Sequence, residues 1–127
     1  MSTKEKFIEE IKNAHSFKND FITLGGAIFE GDCINNLLIN IPLKTLNRHG
    51  LIAGATGTGK TKTLQVITEQ LSSKSIPVLV MDVKGDFSGI AKPGTTNPKI
   101  EERHNKIGLS FSPAGFPVEL LTLSEEK

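Results

Sequence analysis

The run Gly54-Ala55-Thr56-Gly57-Thr58-Gly59-Lys60-Thr61 fills every fixed position of G-x-x-x-x-G-K-[ST], the Walker A or phosphate-binding loop. Its residue types answer the demands of a triphosphate. Gly54, Gly57 and Gly59 let the backbone bend into a nest whose N–H groups point at phosphate oxygens. Ala55, Thr56 and Thr58 complete the binding run, the threonines shaping the loop and offering backbone N–H groups. Lys60 brings a compact positive charge to the terminal phosphates, and the Thr61 hydroxyl is placed to ligate Mg²⁺. A helix beginning there adds the positive end of its dipole. The chemistry implied is binding of a nucleoside triphosphate together with Mg²⁺.

Such a loop needs a strand to feed it and a helix to leave it. Gly50-Leu51-Ile52-Ala53 is a short apolar run of the kind a buried parallel strand shows. From Lys60 to about residue 72, Leu64, Ile67 and Leu71 recur at helical spacing. Ile76-Pro77-Val78-Leu79-Val80-Met81 then reads as a second strand ending at Asp82. Strand, loop, helix and strand make one βαβ unit, whose crossover is expected to be right-handed. Asp82 then emerges on the sheet edge beside the phosphate loop. There it either supports Mg²⁺ through water or caps the polar turn that follows. The fold class expected is α/β, an incomplete P-loop NTPase core preceded by a short helix and a small β element.

Ser2-Thr3-Lys4-Glu5 has the form of a capping box, and Phe7, Ile8, Ile11 and Ala14 follow on one face, predicting a helix over residues 3–16. Short antiparallel strands are expected at 21–24, 27–29 and 36–41, with Gly25-Gly26 as a turn or bulge. Residues 91–106, rich in Pro, Gly, Thr, Asn and charge, read as loop, and 107–111 and 118–123 as strands. The expected division is an amphipathic helix in 1–20, a β element in 21–46 and the front of an ATPase domain in 47–127.

With 127 residues the chain has material for one modest core, and 37% hydrophobic with 23% charged residues is ordinary for a soluble globular domain. No apolar run approaches membrane-spanning length, and the first twelve residues lack the apolar stretch of a signal peptide, so no membrane partner and a cytoplasmic location are expected. The lone Cys33 is expected to be a small buried or half-buried residue in a reducing compartment. His15, His49 and His104 give no metal-ligand spacing with it. Net charge is +1, Arg48 and Arg103 are the only arginines, and Trp and Tyr are absent. That leaves neither a basic stripe nor a stacking platform for nucleic acid in this stretch.

Three classes of phosphate-loop protein compete. Asp82-Val83-Lys84-Gly85 fits the D-x-x-G of a GTPase, but Lys60 and Asp82 are only 22 positions apart, too few for a switch loop and an extra strand. Asn105-Lys106-Ile107-Gly108 also carries Gly where a base-reading Asp belongs. A small-molecule kinase needs arginines on a lid, and two arginines make a poor one. The third class rests on resemblance. Asn47-Arg48-His49-Gly50-Leu51-Ile52-Ala53 leading into the phosphate loop, then Thr63-Leu64-Gln65-Val66, and later Asp82-Val83-Lys84-Gly85-Asp86-Phe87-Ser88-Gly89, resemble bacterial ATPases of the HerA/FtsK class in order and spacing. The likeness spans roughly residues 21–123. It implies a RecA-like core of the ASCE type, ATP and Mg²⁺ as ligands, and a hexameric motor related to DNA-translocating helicases. DNA would then be a partner of the full-length form. The family's apolar strand ending in Asp-Glu is not found after Asp82, nor is an arginine finger. The chain is therefore expected to be the N-terminal portion of a larger ATPase that binds phosphate without efficient hydrolysis. A non-hydrolysing nucleotide-binding module is the alternative.

Overall fold

The computed structural model describes residues 1–122. Its elements run α1 (Thr3–His15), β1 (Phe21–Phe29), β2 (Asp32–Pro42), a 3-10 turn (Leu43–Thr45), α2 (Lys60–Ser73), a second 3-10 turn (Ser88–Ala91) and α3 (Pro98–Ile107). The helix-and-sheet composition is α/β, and the sheet is a two-stranded antiparallel hairpin.

Local chemistry explains where α1 starts. Ser2 Oγ accepts from the Glu5 N–H at 3.2 Å while Glu5 Oε2 accepts from the Ser2 N–H at 2.6 Å, so two otherwise orphaned donors are satisfied reciprocally. The helix lies on the hairpin, with the Phe7 and Phe29 rings 5.1 Å apart and tilted by 43°. At its C-terminus His15 Nδ1 pairs with the Asn40 carbonyl at 2.9 Å, and Asn40 Nδ2 donates back to the His15 carbonyl at 3.0 Å.

Glu30 and Gly31 close the hairpin with φ of 51° and 91°, the two positive values that a type I′ turn requires. Residues 21–29 form one strand, with register shifts between Thr23 and Gly25 and between Gly26 and Ile28. Leu24 and Ala27 are skipped by that register, while Gly25 and Gly26 pair with Ile39 and Leu38 between the two irregularities, inside a continuous strand rather than a break between two. The second glycine also has a packing role: a Cβ on Gly26 would stand 2.6 Å from Ile107 Cγ2, so α3 meets β1 where no side chain intervenes. Among the described residues Ile22, Ala27 and Leu37 are the buried apolar ones, all on the hairpin.

Helix α2 packs against the outer edge of β1. Thr23 faces Asn40 across the ladder, but its own N–H and C=O both turn outward to Gln70 of α2. Gln70 Oε1 accepts from the Thr23 N–H at 2.7 Å, and Gln70 Nε2 donates to the Thr23 carbonyl at 2.6 Å. Thr23–Asn40 is therefore a non-hydrogen-bonded pair, in which side chains stand closest, and Thr23 Oγ1 donates to Asn40 Oδ1 at 2.8 Å.

Several expectations are corrected. Residues 50–53 and 76–81, read as parallel strands, lie outside any strand, so no βαβ unit forms among the described residues. A parallel ladder needs partner backbone on its edge, and apart from the Ile76 N–H bonded to the Leu71 carbonyl these runs make no backbone hydrogen bond; Leu51 is 89% exposed, and Leu79 and Met81 85% each. Residues 98–106, within the stretch 91–106 read as loop, lie in a helix that runs on to Ile107. The Asn97 side chain accepts from the Ile100 N–H at 3.0 Å, Pro98 occupies the first turn, and Gly108 ends the helix at φ 78°. That consumes the start of the strand expected at 107–111, whose remaining residues are in no strand. Of 118–123, residues 118–122 form no strand and Leu123 lies outside the described residues. Cys33 is exposed, beside the hairpin turn. No helix among the described residues is long and apolar enough to cross a membrane.

Candidate site at the start of helix α2

The run 54–61 wraps the N-terminus of α2. Lys60 and Thr61 are its first two residues, and Gly59 caps it at φ 99°. Gly57 stands at φ 80°. Both values are open to glycine at little cost and expensive for other residues. With a glycine as cap, no side chain covers the first-turn N–H groups, which have no intrahelical acceptors. The loop is closed from within: Thr58 Oγ1 donates to the Ala55 carbonyl at 2.7 Å, and the Thr58 N–H reaches the same oxygen at 3.4 Å. Gly54 passes so close that a Cβ there would stand 2.6 Å from Thr58 Oγ1. Lys60 Nζ also donates to the Ala55 carbonyl at 2.7 Å, folding its ammonium back across the loop. The second turn is tied to the cap by the Thr63 N–H and hydroxyl, 2.9 and 3.2 Å from the Gly59 carbonyl. All of 54–61 is exposed except half-buried Lys60.

The donor set fits a magnesium triphosphate. Uncapped N–H groups at a helix start and an ammonium reaching across the loop can donate to phosphate oxygens, and an exposed hydroxyl at the next position can ligate a hard cation. When bound, Mg²⁺ would supply neutralisation of phosphate charge. Thr61, with Asp82 from the turn after residue 81, would be the residues to hold it.

Asp82 spends its carboxylate on its own turn. Oδ1 accepts from the Lys84 and Gly85 N–H groups at 3.2 and 3.0 Å, and Oδ2 from the Phe87 N–H at 2.8 Å. The Phe87 bond foremost, with those from Gly85 and Lys84, holds the carboxyl below the usual aspartate range despite some desolvation. A carboxylate offers about four lone-pair sites, so three such bonds leave acceptor capacity. Asp86 contributes its main chain: Gln65 Nε2 donates to the Asp86 carbonyl at 2.9 Å, joining this turn to α2. No group of three His, Cys, Asp or Glu side chains gathers among the described residues. His49 and Arg48, just ahead of the loop, are exposed.

Gln65, which stands in the 63–66 run of the resemblance, and Gln70 carry no assigned role in the sequence. Gln70 bonds to a residue 47 positions away, and nothing in its neighbours announces that. Gln65 has one usable signal: it stands four positions after Thr61 and so shares its helix face.

Residues 30–127, more than three quarters of the chain, match a family model described as helicase HerA-like C-terminal. That description concerns a C-terminal domain, where the sequence reading expects the N-terminal portion of such a protein. No curated protein matches the chain, and no solved structure does.

Proposed function

The chain belongs to the helicase HerA-like C-terminal family, and from that premise we propose that residues 54–61 bind the phosphates of Mg-ATP. In this reading the protein is the ATP-binding part of a HerA/FtsK-like motor with a P-loop NTPase core. The observation that carries it is the loop itself. A complete G-x-x-x-x-G-K-T run opens a helix of 14 residues, with two glycines at positive φ and the lysine folded over the bend. Lys60 exchanges the Ala55 carbonyl for phosphate oxygens, the backbone N–H groups of 57–61 cradle the same charge, and Thr61 takes Mg²⁺. Asp82 supports the metal through water. In the complete motor, hydrolysis would drive movement of DNA or protein through a homo-hexamer.

Thermal denaturation with and without Mg-ATP tests the reading. At ligand 100-fold above its dissociation constant, binding stabilises by about 2.7 kcal/mol. The expected result is a rise in Tm of several degrees that Lys60→Ala abolishes while leaving the unliganded Tm unchanged. A parent protein whose Tm does not respond to millimolar Mg-ATP overturns the assignment. Turnover at tens per second by this chain, lost in Lys60→Ala, would show that 1–127 already holds a hydrolytic set.

A further inference from the structure

We propose that Gln65 is a positioning residue for the metal end of the nucleotide site, seating the 82–87 turn against the helix face that carries Thr61. The inference rests on the Mg-ATP reading above and adds a residue that the phosphate-loop pattern does not contain.

The geometry has three parts. Gln65 follows Thr61 by one helical turn, so both side chains leave α2 on the same face. The Gln65 amide is held at both ends: its Oε1 accepts from Lys62 Nζ at 2.9 Å, which leaves Nε2 directed at the Asp86 carbonyl, also at 2.9 Å. The turn it grips moves as a unit, since the Asp82 carboxylate ties the N–H groups of Lys84, Gly85 and Phe87 together. The Ser88 hydroxyl adds a bond to the Gly85 carbonyl at 3.1 Å. A hydrogen bond to Asp86 therefore sets the position of Asp82, whose free lone pairs can take a water of a Mg²⁺ shell. Among the described residues no other hydrogen bond joins the 82–87 turn to α2, so without this one the Asp82 carboxylate is no longer tied to the helix that carries Thr61.

The consequence is specific to the metal. Removing Gln65 leaves the backbone nest and Lys60 intact, so affinity for nucleotide without Mg²⁺ is unchanged. What falls is the extra affinity that Mg²⁺ confers. One hydrogen bond of this class corresponds to about a fivefold change in an equilibrium constant.

The experiment titrates a fluorescent ATP analogue into the parent protein, Gln65→Met, Asp82→Asn and the double variant, each with Mg²⁺ and with EDTA. Methionine keeps the length and helix propensity of glutamine and removes both polar atoms. The expected result is an unchanged Kd in EDTA and a Mg²⁺-dependent gain about fivefold smaller in Gln65→Met. Gln65→Met should have no further effect in the Asp82→Asn background, because the two act through one carboxylate. Equal weakening with and without Mg²⁺, or additive losses in the double variant, overturns the positioning role while the phosphate-loop reading stands. Failure of the parent protein to bind the analogue in either condition overturns both.

Discussion

Gln70→Met tests how α2 is anchored. The Gln70 amide occupies the outer edge of β1 as a one-residue strand would, accepting from and donating to the same residue at 2.7 and 2.6 Å in a half-buried contact. Methionine preserves length, helix propensity and most of the apolar contact, so the change isolates these two hydrogen bonds and a longer one from Nε2 to the Val66 carbonyl at 3.3 Å. Each is worth about 0.5–1.5 kcal/mol net, and the Thr23 N–H and C=O are left without a protein partner. A loss of about 2 kcal/mol follows. For a domain of this size that lowers Tm by roughly 6–10 °C. Gln70→Glu sharpens the test. The introduced carboxylate still accepts from the Thr23 N–H but sets a negative oxygen against the Thr23 carbonyl. That repulsion raises the folded-state pKa of the introduced group, so its penalty is full above that pKa and fades as pH falls through it, when the protonated acid can donate. The gap in Tm from the parent protein should therefore narrow between pH 7 and pH 4 for Gln70→Glu and stay constant for Gln70→Met. Thermal melts followed by far-ultraviolet circular dichroism read both. A Gln70→Met protein melting within about 1 °C of the parent would refute the anchoring role, and parallel pH profiles would refute the donor assignment.

Two further outcomes follow from the site. Gly59→Ala forces a Cβ onto a residue at φ 99°, a left-handed conformation costing about 1–2 kcal/mol for an L side chain; loss of the Mg-ATP thermal shift with a Tm a few degrees lower is expected, and an unaltered shift would show that the cap geometry is dispensable. The Asp82 carboxyl, held down first by the Phe87 N–H, should titrate by carbon-detected NMR below the ordinary aspartate value of about 3.9. Because its folded pKa is depressed, the restraint on the 82–87 turn is complete above the ordinary value and lost as pH falls through the lower folded one. A midpoint at or above the ordinary value would remove the three backbone bonds from the description.

What could be read from residues alone was whatever is encoded within a few positions. The Ser2–Glu5 capping box and the Gly57 and Gly59 bends work through neighbours in sequence, so their spelling announces them. Helix α3 was spelled as plainly, by Asn97 as cap, Pro98 in the first turn and Gly108 at the end; counting Pro, Asn and Gly as loop markers hid the fact that together they punctuate a helix. The apolar runs 50–53 and 76–81 fail differently. Their composition reports a preference for burial in a sheet, but a ladder also requires partner backbone, and composition says nothing about where that comes from. The glutamines are the hardest case, since their bonds reach 21 and 47 positions along the chain. Five residues apart on α2, they point about 140° away from each other around the axis. Gln70 pins the helix to the hairpin and Gln65 pins the 82–87 turn to the helix. The phosphate loop, a wholly local signal, thus opens a helix whose side-chain bonds reach 21 and 47 positions along the chain. For that reason a substitution just past the loop, at Gln65, is the one that should separate metal binding from phosphate binding.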